Sequence, residues 1–345
     1  MNLEKPKYSI IKVDSAHRIP EEWDSLVRGI FQEKDFLVYN EEFNPCQQRY
    51  YLVYDSDILS AAAVVYTISV DLFTFSNIPS PFKMNIIGLP VSVSLPGIFG
   101  KKEAVEHLIA YLLEKEKGLK TGLNINPEIN TGDAIILRML PTLELSLKFS
   151  SWMDYLEHLR APYRRRCLQI SEKMKSINAE KTTCSFFTDS HYRLYLDVLK
   201  HSTTKLETLS LSYFKNLPPS FQLTTYYRNE EIISWYITCF DIRLNRFYFF
   251  FGGHNYFLNK KTNAYFNNLI GVLKDGIEKR CDFVDFGQTA EIPKMRLGSL
   301  IIPKALFIYH SNPVVFWILK RFKKLIAYRK EFPEHNVFNS SVFHN

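Results

Sequence analysis

From Tyr50 to Tyr54 the chain alternates as a strand does, Asp55-Ser56-Asp57 turns it, and ILSAAAVVYTI, from Ile58, runs back as a second strand. EAVEHLIAYLLEKEKG then places Val105, Leu108 and Leu112 on one helical face and stops at Gly118. GLNIN, from Gly122, predicts a short strand. The second half repeats the order. Phe221 to Gly253 reads as strand, charged turn, strand, turn, strand. A helix follows, with Tyr265, Leu269, Val272 and Ile277 along its apolar side, and DFVDF, Asp282 to Phe286, is the next strand. The halves share a pattern rather than letters, which points to a duplicated α/β unit.

Between the halves, Ser151 and Asp154 form a capping pair for a short helix, and Pro162 suits the first turn of the next. In that second helix Tyr163, Cys167, Ile170, Met174 and Ile177 make a stripe at helical spacing, which turns Arg164, Arg165 and Arg166 sideways or outward. A further helical stretch covers roughly Ser190 to Leu217. Near the end Val315, Ile318, Leu319, Phe322 and Ile326 form another stripe, covered elsewhere by Lys320, Arg321, Lys323, Lys324, Arg329 and Lys330. Such a helix, about residues 312–330, can lie on an anionic membrane, cradle a polyanion, or pack on its own domain with a solvated charged face.

The 345 residues are enough for two cores, and an aromatic content of 15% can fill both. A net charge of +7 suits a phosphate-bearing ligand, a nucleic acid or an anionic surface without choosing among them. The five cysteines show no CxxC spacing, which argues against a disulfide framework and a zinc site and for reduced thiols in a cytoplasmic protein. MNLEKPKYSIIKVDS lacks the apolar run of a signal peptide, and PVVFWIL is far shorter than the roughly 20 residues of a membrane span. Dinucleotide-binding, P-loop, HExxH and GxSxG patterns are absent, and the dispersed histidines form no metal-ligand pair.

Three segments carry candidate chemistry. CDFVDFGQTAEIPKMRLGS, Cys281 to Ser299, sets polar groups at the carboxyl end of a strand, where α/β sheets bind ligands. Gly287 alone reads as a turn glycine, while the group as a whole reads as a ligand site. YRRR, Tyr163 to Arg166, offers guanidinium forks for phosphate or carboxylate, although three adjacent arginines cannot share one ligand. FYFFFGGHNYF breaks a strand at Gly252-Gly253, where free N–H groups can receive a carbonyl oxygen; His254 is either a base or an ordinary loop residue.

SWMDYLEHLRAPYRRRCLQISEKM resembles the opening block of the FemAB-like and BioF2-like acyltransferases of the GNAT superfamily, and AYFNNLIGVLKDGIEKRCDFVDFGQTAEIPKMRLGS resembles their closing block. The resemblance covers about residues 145–315 and extends to the N-terminal half by pattern only. It implies two tandem GNAT-like domains, here 1–148 and 149–345, with mixed, mostly antiparallel sheets flanked by helices. It also implies N-acyl transfer from an activated donor to an amine, which can belong to a cell-envelope precursor. By position in the motifs, Asp285, Gly287, Gln288 and Thr289 would line the cleft, with Lys294 and Gly298 at the motif's lysine and glycine. Tyr163 and Arg164 match the opening "yR". Asp285, Lys294 and His254 are the catalytic candidates; Arg164, Arg296 and Lys261 join the donor-binding set.

The chain departs from the superfamily at the pyrophosphate loop, because HNYFLNKKTNA lacks its glycine spacing. Lys260 and Lys261 stand there instead, near a helix start that can meet phosphates. The donor is therefore expected to be acyl-CoA, with aminoacyl-tRNA as the alternative, and no tightly bound cofactor is expected. A non-catalytic double-GNAT scaffold, peripheral to a membrane through 312–330, is the third reading.

Overall fold

The computed structural model describes residues 8–71, 81–174, 177–202 and 208–339. Met1–Leu140 with Pro303–Lys330 form one compact unit, and Pro141–Ile302 with Glu331–Asn345 form the other.

The N-terminal unit begins with β1 (Tyr8–Val13) and α1 (Lys34–Phe43). β2 (Arg49–Asp55) and β3 (Ile58–Asp71) pair antiparallel about the expected turn, and β4 (Pro81–Ile87) pairs antiparallel with β3. After β5 (Ile98–Gly100), which joins β3, the helix α2 (Lys102–Lys115) crosses over to β6 (Leu119–Ile125), which lies parallel to β4. Side chains alternate across this sheet. Tyr51, Val53, Ala61, Ala63 and Val65 meet Val105, Leu108, Ile109 and Leu112 of α2. On the other face, Tyr50 and Phe99 meet Trp23 edge to face.

The C-terminal unit starts in β7 (Ile135–Ser146), then runs through α3 (Trp152–His158), α4 (Ala161–Lys173) and β8 (Asn178–Thr183). The stretch read as one helix from Ser190 is two, α5 (Asp189–His201) and α6 (Leu211–Lys215), with 203–207 outside the described residues. β9 (Phe221–Arg228), β10 (Glu231–Asp241) and β11 (Arg246–His254) form an antiparallel meander. Asn229 and Glu230 both have positive φ, as a tight two-residue hairpin turn requires. α7 (Tyr256–Thr262) and α8 (Ala264–Glu278) then lead to β12 (Phe283–Asp285), parallel to β11, and to α9 (Glu291–Met295). Trp235 and Tyr236, neighbours on β10, face opposite layers. Trp235 packs on Phe187, His191 and Phe214, whereas Tyr236 joins the core under α4 and α8.

Each unit is thus a four-stranded antiparallel meander followed by a helical crossover to a parallel fifth strand, the duplication expected from the pattern. The completing strands are exchanged. β7 continues from the N-terminal unit and pairs with β12, while β13 (Leu300–His310) returns to pair with β6. Phe307 lies directly against Gly122, where a Cβ would stand 2.2 Å from its ring. This exchange corrects the expected domain bounds. A boundary at 148 and a tail grouped with the second domain overlook β13, which carries α10 (Pro313–Ile326) back to the first unit. No helix among the described residues is long and apolar enough to cross a membrane.

Truncating the buried Phe307 to Ala should cost about 3–5 kcal/mol. Hydrogen exchange should show the loss of protection in β2 and β3. Loss confined to β9 and β10 would contradict the exchange.

Candidate functional site

β11 and β12 pair over three residues only, Arg246 with Phe283, Phe247 with Val284 and Tyr248 with Asp285. The chain then leaves β11 for β7: Phe286 N–H donates to the Leu143 carbonyl at 2.9 Å, and Leu143 N–H donates to the Gly287 carbonyl at 3.2 Å. β11 itself bulges at Phe250, since Ile237 pairs with Phe251 and Thr238 with Phe249. Among the described residues no strand takes up the β12 side of β11 beyond Tyr248. A gap therefore opens at the carboxyl ends of the two parallel strands, the position at which α/β sheets bind ligands.

The segment after β12 is held in a costly shape. Gly287, Thr289 and Ala290 have φ of 70°, 62° and 46°. Glycine accepts this freely, but each of the other two costs on the order of 1 kcal/mol. Two buried charges pin the loop. Asp285, 2% exposed, accepts the Gly287 N–H at 2.7 Å. Lys294 of α9, equally buried, donates to the carbonyls of Gln288 at 2.8 Å and Gly287 at 3.3 Å. Burial lowers the Lys294 ammonium to about 7, against the opposing pull of Asp285 and Glu291. Asp285, Gly287, Gln288 and Lys294 lie together in this loop, and the hydrogen bonds just described join the two charged side chains to the loop's own backbone. Gln288 is half-buried and Thr289 exposed.

A cleft of about 580 Å³ at the start of α8 is lined by Arg166, Gln169, Ile170, Glu172, Lys173 and Asn263. Asn263, left-handed at φ 54°, opens α8 and gives its N-terminus no side-chain cap; Asn259 Oδ1 accepts the Tyr265 N–H at 3.0 Å. The Arg166 guanidinium sits over Phe266, 5.0 Å from the ring centre. Its Nε is buried without a hydrogen-bond partner. Burial first, and then the like charge of half-buried Arg296, weaken its hold on its proton. An unsatisfied buried donor close to a second cation and a helix N-terminus is suited to an anion.

A larger cleft, about 660 Å³, lies in the N-terminal unit among Lys12, Arg49, Lys83, Lys115 and Lys117. Its arginine is already spent: Arg49 bonds Glu116 through two nitrogens and also Thr67, Asn85 and the Gln47 carbonyl. Only the smaller cleft holds an arginine donor left over.

Other expected residues fall elsewhere. Arg164 was preferred in the arginine run, but the structure turns Arg166 toward α8. The signal was present, because Arg166 stands three residues after Tyr163 and four before Ile170 and so shares the apolar stripe. Arg164 is half-buried, with its backbone N–H on the Arg160 carbonyl. Tyr163 packs on the core, its hydroxyl 3.4 Å from His335 Nδ1. Gly298 is a packing position, since a Cβ there would lie 2.2 Å from the Phe338 ring. Lys261 belongs to α7, but its side chain lies outside the described residues.

His254 ends β11 six residues beyond Tyr248, roughly 20 Å along the strand from the level of Asp285. It is buried between the rings of Tyr256 and Tyr265, at 4.4 and 5.5 Å. Burial, with His201 assisting, lowers its imidazole to about 4. A base that weak is poorly matched to neutral pH, which removes the ground for giving it the proton-abstracting role. The double glycine has its own cause: a Cβ on Gly253 would lie 2.4 Å from the indole nitrogen of Trp235, which donates to the His191 carbonyl.

No sequence-family model and no curated protein matches the chain. Solved structures match by fold. The C-terminal domain of a putative lysylphosphatidylglycerol synthetase from Agrobacterium fabrum is similar at TM-score 0.50 and 8% identity, covering 77% of this chain and 85% of that one. FemX is similar at TM-score 0.49 and 12% identity, covering 79% and 90%. A tandem GNAT protein from the clavulanic acid biosynthesis pathway gives 0.47 and 9%, covering 89% and 99%. The chain has the mixed α/β fold expected from its sequence, similar to that of the Agrobacterium domain. Likeness at these identities speaks for the fold alone.

His191 and His254 are both held by burial at about 4, against 6.5 for a free imidazole. The unfolded chain therefore takes up protons first as pH falls. The stability they contribute is complete above about 6.5 and is lost progressively toward 4. Thermal melts from pH 7 to 4.5 should show this fall, and His254→Gln should remove about half of its slope. An unchanged slope would mean that His254 is not buried in its neutral form.

Proposed function

We propose that the chain is an N-acyltransferase that takes its acyl group from a phosphate-bearing donor, acyl-CoA in the first reading, and passes it to an amine. The observation that carries this reading is the unbonded, buried Nε of Arg166 in the cleft at the start of α8. With Arg296 adding positive charge, it is suited to donor phosphates. The gap between β11 and β12 would then take the acyl arm. In the reaction the amine nitrogen bonds the thioester carbon, the carbonyl oxygen gains negative charge, the carbon–sulfur bond breaks, and the departing thiolate accepts the proton released by the amine. The unpaired β11 edge past the Phe250 bulge offers N–H donors to that developing oxyanion. In this scheme Asp285 and Lys294 are positioning residues, which fix the loop that closes one side of the gap.

One observation favours aminoacyl-tRNA as a second donor class. α7 occupies the stretch where a glycine-rich pyrophosphate loop would stand. An RNA donor would use the same cations, with affinity falling steeply as salt rises.

Calorimetric titration of CoA, and of bulk tRNA at two salt concentrations, separates these readings. Micromolar CoA binding, weakened about 10-fold or more by Arg166→Gln, is the expected result, since a charge-assisted hydrogen bond is worth about 1.5–3 kcal/mol. Salt-sensitive tRNA binding without CoA binding would transfer the site to the second donor. Wild-type CoA affinity in the Arg166→Gln protein would refute the site.

A further inference from the structure

α10 is 14 residues long, and none of them is buried. Phe316 and Leu319 lean on Ile135, Leu137 and Ile308 of the N-terminal unit, and Val315 is half-buried. The rest of its apolar side is open: Leu325 is 79% exposed, Val314 and Trp317 are 65%, and Phe322 is 51%. At about 100° per residue, Val314, Ile318, Phe322, Leu325 and Ile326 fall within an arc of about 120°. Arg321, Trp317 and Lys324 follow along one border of that arc. No Asp or Glu occurs from Ser311 to Lys330.

The helix is also fixed in place. The fully buried Lys120 donates to Ser311 Oγ at 2.6 Å and to the Leu113 carbonyl at 2.7 Å. Asn312 Oδ1 caps the helix by accepting the N–H groups of Val314 and Val315. Tyr328 N–H closes the far end on the Arg138 carbonyl. The open stripe is therefore presented by an anchored element. Of the stripe seen in the sequence, Ile318, Phe322 and Ile326 are each at least two-fifths exposed.

We infer that α10 docks the protein on an anionic phospholipid surface, lying in the plane of the bilayer with the Val314–Ile318–Phe322–Leu325–Ile326 stripe in the acyl boundary and the flanking cations on lipid phosphates. Charge complementarity selects this occupant. A negative surface draws the Lys and Arg border, and its apolar boundary removes the stripe from water. A nucleic acid would meet the cations but leave the five apolar side chains exposed. At about 21 Å the helix is too short to cross a hydrocarbon core of about 30 Å, so it must lie along the surface. Trp317, amphipathic and beside the cations, suits the headgroup level. The inference does not depend on the transfer reading.

The test is flotation of the full chain with vesicles of phosphatidylcholine alone and of phosphatidylcholine with one quarter phosphatidylglycerol. Association with the anionic vesicles only, reduced by salt, is expected. The F322E/L325E protein should partition about 10-fold more weakly or worse, and so should K320Q/R321Q/K323Q/K324Q. Because Trp23 and Trp235 are fully buried and Trp152 is half-buried beneath Lys274, a blue shift of tryptophan emission on vesicle addition should vanish in Trp317→Phe. These side chains are exposed, so folding is retained, and circular dichroism confirms it for each variant. Absence of flotation with anionic vesicles would overturn the inference. So would a wild-type dimer that F322E/L325E converts to monomer without lipid, or tRNA binding lost with the four cations while vesicles are ignored.

Discussion

The ammonium group of Lys294, taken out of water to bond the carbonyls of Gly287 and Gln288, is the constraint on which the loop after β12 depends. Removing a charge from water costs several kcal/mol, and its fall to about 7 records that cost. Asp285 and Glu291 return part of it. Its two hydrogen bonds hold a backbone with positive φ at Gly287, Thr289 and Ala290 in close succession. Because that loop turns toward β7, β12 separates from β11 after three pairs and the sheet opens.

The duplicated architecture was legible because it rests on local rules. Alternation wrote the hairpins β2–β3 and β9–β10, and helical spacing wrote α2 and α8. The exchange of β7 and β13 was not legible. Both are strands by composition, but partner choice is decided by distant shapes, such as the flat space that Gly122 leaves for Phe307. A sequence read in order assigns β13 and α10 to the unit they follow, whereas pairing to β6 assigns them to the other.

The site was half legible. Strand-end chemistry at Asp285 to Lys294 could be located from pattern and resemblance, yet the residue types did not disclose that both charges face their own loop. His254 was a candidate base because it follows the strand break at Gly252-Gly253, and it is buried by Tyr256 and Tyr265, which follow it on other elements. Arg166 was passed over in favour of Arg164 because Arg164 matches the opening block's "yR" by position. Phase alone would have separated them, since only Arg166 shares a face with both Tyr163 and Ile170. Its unbonded Nε is a property of the folded surroundings, and no sequence rule supplies it.

In the proposed transferase the donor occupies the opening between β11 and β12 and the cleft at α8. Amide hydrogen exchange with and without saturating CoA tests this placement. Slowed exchange is expected at 249–254, at 263–266 and across 287–290, with the rest of the protein little changed. Slowing instead at 47–49 and 115–118, around the larger cleft of the N-terminal unit, would contradict it.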